Sequence, residues 1–126
     1  MKSRNLLMVL SVAGLMLGAQ PALAASAAVK AMAGIMDHLM HYPSAEEKVK
    51  LKAIMDDKAS SANEKVIAKA IMDLQHHVAA GDADALKKVA GDASAPAEVR
   101  DLAGIVLNIS HMPSDADKAK LEAMMK

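Results

Sequence analysis

The sequence predicts an all-α fold of three 35-residue helical-hairpin repeats, about six short helices forming a short α-solenoid or a compact bundle. Three observations predict it. The first is a written repeat: residues 41–51 read HYPSAEEKVKL, and seventy positions later residues 111–121 read HMPSDADKAKL. A shift of 35 residues aligns the chain on itself without a gap, giving units 30–64, 65–99 and 100–126. Units one and three agree at 11 of 27 positions and units one and two at 9 of 35, where an Ala-rich composition gives roughly a tenth by chance. The second observation is helical spacing of the apolar residues within each unit. The third is a boundary signal at a fixed place in the repeat.

The chain begins with a segment that does not belong to the domain. Lys2 and Arg4 precede the apolar run LLMVLSVAGLMLG, and Ala22 and Ala24 supply an Ala-x-Ala site, the pattern of a cleaved secretory signal over residues 1–24. As a helix this apolar run spans about 20 Å, short of the roughly 30 Å of a bilayer core. The expected product is therefore a periplasmic or secreted single domain, residues 25–126, with no membrane span. The chain has no cysteine, so neither a disulfide nor a cysteine lipid anchor is available.

In each unit the first helix carries an inward stripe: Met32, Ile35, Met36 and Leu39; then Ile67, Ala70, Ile71 and Leu74; then Leu102, Ile105, Val106 and Ile109. Tyr42 and Met112 precede prolines, which disfavours helix there, so the first helices are expected to close at His41 and His111. The second helix opens at Ser44 with Glu47 three residues on, and at Ser114 with Asp117, the arrangement of an N-cap with an acid in the first turn. Its stripe is Leu51, Ile54 and Met55, then Leu86, Val89 and Ala90, then Leu121, Met124 and Met125. Gly91 is expected as a C-cap and Pro96 in a first turn. Gly34 and Gly104 inside the first helices point to close helix contact. The period is near that of tetratricopeptide-type repeats, but the aromatic and glycine positions that mark them are missing, so only the architecture is comparable.

Composition narrows the function. Setting aside Lys2 and Arg4 leaves 13 basic against 15 acidic side chains, which gives no electrostatic reason to bind nucleic acid. Tyr42 is the one aromatic residue besides the histidines, so sites that stack sugars, bases or flat cofactors lack material. No catalytic motif stands out: Ser110 beside His111 does not make a nucleophile pair if both are helical, because neighbours diverge by about 100° on a helix. No enzyme activity and no cofactor are expected.

The chemistry-bearing residues cluster at the hairpin turns. His41, His76 and His111 share one register in all three units, whereas His38 is replaced by Asp73 and Asn108, and Met40 by Gln75 and Ser110. His38 and Met40 are therefore expected to face water. The aligned histidines are expected to bond the last carbonyls of their helices. The alternative is a copper or zinc site built from His38, Met40, His41, His76, His77, His111 and Met112, since imidazole and thioether together suit copper, and imidazole alone also accepts zinc or nickel. Stacking by translation would spread these ligands into a ladder rather than a cage. The leading functional expectation is accordingly a non-enzymatic repeat protein that binds a protein or peptide partner on the face of its stacked first helices, with periplasmic copper or other transition-metal binding as the alternative.

Overall fold

Serine starts most of the helices, and burial of one stripe on each helix does the rest. The structure, a computed structural model, describes residues 25–126, and the leader expected over 1–24 lies outside the described residues. Six helices are described: α1 (Ala27–Asp37), α2 (Ala45–Asp56), α3 (Ala62–Met72), α4 (Ala80–Ala90), α5 (Ala97–Leu107) and α6 (Asp115–Met125). Ser26, Ser44, Ser61 and Ser114 each accept a hydrogen bond from a backbone N–H in the first turn, and Glu47 and Glu64 complete capping boxes at α2 and α3. Each such cap is worth about 1 kcal/mol. No helix among the described residues is long and apolar enough to cross a membrane.

The hairpins close into a ring. α2 packs on α3 and α4 on α5, and α6 returns to pack on α1, so the last unit docks on the first as each unit docks on its successor. The first helices, α1, α3 and α5, also touch one another at the centre. Their stripes are buried as expected, from Met32 and Met36 through Ile67 and Ile71 to Leu102 and Val106. Only Leu51 and Ile54, Leu86 and Val89, and Leu121 and Met124 of the second helices join the core, with Met55, Ala90 and Met125 at its edge. A closed pseudo-threefold bundle is thus the form taken. In consequence the first helices make the inner layer, touching one another with most of their apolar side chains buried.

Smaller expectations also shift. Pro96 is the N-cap of α5 rather than a residue of its first turn, while Gly91 is the C-cap of α4 as expected. Close packing requires glycine at neither position: an added Cβ at Gly34 would make ordinary contact with Met125 Sδ at 3.5 Å, and one at Gly104 would meet nothing. Both glycine carbonyls instead accept a side-chain hydrogen bond from four residues on, at 3.0 Å from His38 Nδ1 and from Asn108 Nδ2. In the middle unit Lys69 replaces this glycine and reaches Asp73 (2.8 Å) and Asp82 (3.0 Å). These carboxylates, Asp73 foremost, hold the Lys69 ammonium charged to higher pH than usual, and Lys69 in turn holds Asp73 below the ordinary carboxylate range.

Candidate metal centre

The first helices stop earlier than proline placement implied. α1 ends at Asp37 with His38 as its C-cap, and α3 and α5 end at Met72 and Leu107 with Asp73 and Asn108 as theirs. His41, His76 and His111 lie three residues beyond the caps, so they do not terminate helices. His38 takes that role, through its bond to the Gly34 carbonyl.

What holds the three aligned histidines is a backbone knot. Each sits at the centre of a three-residue turn closed by the following N–H on the preceding carbonyl: Tyr42 to Met40 at 2.9 Å, His77 to Gln75 at 2.7 Å and Met112 to Ser110 at 2.8 Å. Their φ angles are 75°, 68° and 70°, the only positive values at non-glycine residues among the described residues. This is the geometry of a classic γ-turn, a rare and strained one. The turns are then tied into a cycle. The N–H of His41 donates to the carbonyl of His111, that of His111 to His76 and that of His76 to His41, each at 2.7 Å. On either side the chain is anchored in the core, by Leu39 and Pro43, Leu74 and the half-buried Val78, and Ile109 and Pro113.

The ring closure brings the imidazoles together on the pseudo-threefold axis. One ring nitrogen from each of His41, His76 and His111 lies within 4.8 Å of the others, and all three side chains are exposed. Ring centroids are 4.8, 5.3 and 4.9 Å apart, and Nδ1 of His41 is 3.1 Å from Nδ1 of His76. Nitrogens bound to one ion at about 2.0–2.1 Å stand roughly 3.3 Å apart in a tetrahedron and roughly 3.0 Å apart in an octahedron. One pair therefore already has ligand spacing, and the third ring needs to swing by about 1.5 Å, within the reach of an exposed side chain. Loss of hydration among the neighbouring rings lowers the pKa of His76 below its ordinary 6.5, with further lowering by His41, His111 and His77. A lowered pKa keeps a neutral, ligating imidazole available at neutral pH.

The ladder expected from translational stacking is thus replaced by a cluster, because the units are related by rotation about an axis. Of the other candidate ligands, His77 stands beside the cluster, its ring 5.4 Å from that of His111 and its Nε2 3.3 Å from Ser110 Oγ. Met40 and Met112 are 67% and 48% exposed on the same turns, and His38 is engaged with Gly34. Ser110 Oγ also lies 3.3 Å from His111 Nδ1, contrary to the divergence expected of helical neighbours, since this stretch is a turn and not a helix. Among the described residues, no carboxylate hydrogen-bonds the three rings.

Comparison with protein-family models, with curated proteins and with solved structures gives no match. The functional reading therefore rests on the geometry of the turns.

Proposed function

We propose that this chain is an exported, non-enzymatic transition-metal-binding protein that holds an ion on its pseudo-threefold axis through His41, His76 and His111. The observation that carries this reading is the identity of the strained residues. A left-handed backbone costs an ordinary residue about 1–2 kcal/mol and costs glycine almost nothing. Yet all three copies of the turn place histidine there, with the rings exposed and facing one another rather than packed in the core. Strain without a packing return is characteristic of sites that act on something.

The chemistry of the donors supports a late first-row ion. Three neutral imidazoles suit Cu, Zn or Ni, and the general affinity order peaks at Cu(II). The C-terminal ends of the inner helices α1, α3 and α5 lead into the knot, and their partial negative charge has the sign that favours a cation. Among the described residues no carboxylate hydrogen-bonds the rings, and such partners typically contribute 10- to 100-fold in affinity, so the ion is held exchangeably. An ion that can leave suits carriage or buffering better than a permanent structural role.

The test is equilibrium dialysis of untagged protein against Cu(II), Zn(II) and Ni(II), with the bound metal quantified. Glycine is the informative replacement because it keeps the left-handed backbone. The expected result is specific binding by the native chain that is lost when His41, His76 and His111 are all replaced by glycine. Metal binding that survives in the folded triple variant would overturn the assignment, as would none in the native protein.

A further inference from the structure

The histidine face is built for a second copy of itself. Resting on the metal reading above, we infer that an ion accepting six ligands is shared by two chains meeting face to face along their axes, each supplying His41, His76 and His111. Three observations lead there. The triad occupies one face of a coordination sphere and is exposed, so half of an octahedral ion's ligands are left to come from outside. The residues flanking the histidines at positions 40, 42, 75, 77, 110 and 112 are Met40, Tyr42, Gln75, His77, Ser110 and Met112. Apart from His77 none of them is an acidic or a basic residue, although Lys48 borders the face beside Tyr42. Two such rims can approach without the like-charge repulsion that normally keeps identical surfaces apart.

The third observation is where the apolar surface lies. Of the four large hydrophobic side chains exposed among the described residues, Met40, Tyr42 and Met112 are on this rim, and only Val49 is elsewhere, on α2. Exposed apolar residues gathered on one face mark an interaction surface. A charged partner finds only Lys48, at the border of the face, to pair with, whereas a second copy supplies matched apolar groups and the missing three imidazoles together. The rim alone is small beside a stable protein interface, so association depends on the ion.

The experiment is sedimentation of untagged protein titrated with Ni(II), read for mass and for nickel per chain. The expected result is a doubling of mass at one nickel per two chains, reversed by a chelator. Replacement Tyr42→Arg, at an exposed position outside the ligand set, should weaken the dimer at least about tenfold while the monomer still binds nickel. Nickel bound one per chain to a monomer would overturn the shared site while leaving the metal reading intact. Failure of the native protein to bind Ni(II), Cu(II) or Zn(II) at all would remove the metal reading, and this inference with it.

Discussion

The two ends of the bundle differ in how faithfully the repeat is kept. At the histidine end the three turns agree within a few degrees in φ, and their three cyclic hydrogen bonds have the same length. At the other end the inner helices begin in three ways: Ser26 caps α1 and bonds the Glu64 carboxylate, Ser61 forms a full capping box at α3, and Pro96 opens α5 without a side-chain cap. Helix starts need only some partner for their free N–H groups, and several residues provide one. The knot has no such latitude, because a cyclic set of hydrogen bonds closes only if all three turns have one shape. Tolerance at one end and uniformity at the other locate where the fold depends on a single geometry.

The strongest way to break this contrast is beneath the knot. Leu74, fully buried, anchors the middle turn. Leu74→Ala should cost about 2–5 kcal/mol in chemical denaturation, and metal affinity should fall with it because the imidazoles lose their common support. Stability loss with unchanged affinity would mean that the histidines do not depend on the turn beneath them. A smaller effect tests the backbone itself. His111→Val should be less stable than His111→Gly by about 1–2 kcal/mol, since a β-branched residue tolerates a positive φ poorly. Equal stability of the two variants would remove strain as the reason for reading function at this position.

At the tolerant end, Ser61→Ala removes a cap and should cost about 1 kcal/mol, with no change in metal binding. The middle unit offers the reverse change. Ala79 begins α4 without a side-chain cap, and buried Asp82 relies on Lys69 instead of a serine-capped turn. Ala79→Ser should therefore raise stability by about 0.5–1 kcal/mol, readable as a higher denaturation midpoint. The gentlest probe is pH. Because the folded state holds His76 neutral to lower pH than its ordinary 6.5, the unfolded chain binds more protons near and below that value. The histidine contribution is fully present above 6.5 and is lost as pH falls through it towards the depressed pKa. Thermal melts from pH 8 to pH 5 should show this decline, and His76→Gly should flatten it.

Much of this was legible in the residues. The period, the serine caps at 44 and 114 and the stripes from Met32 to Ile109 follow from local rules, and local forces carry them out. The turn was harder to read. Proline at 43 and 113 places the helix ends near His41 and His111, but the helices end four residues before each histidine, where Leu39, Leu74 and Ile109 are drawn into the core, and no propensity encodes that pull. The shared register of His41, His76 and His111 was the signal that could have found the site. That register suggests helix caps or, for a metal, a ladder of ligands, because a repeat seen in one dimension does not reveal the rotation between its units.

The sequence by itself determined that residues 25–126 hold six helices in three hairpins, which faces are apolar, and that three histidines occupy one position. Only the tertiary structure decided that these histidines meet. The packing of α6 on α1 joins residues far apart in the chain, and that contact turns translation into rotation about an axis. A stripe of burial is fixed by spacing within one helix, whereas the convergence of His41, His76 and His111 depends on every interface around the ring at once.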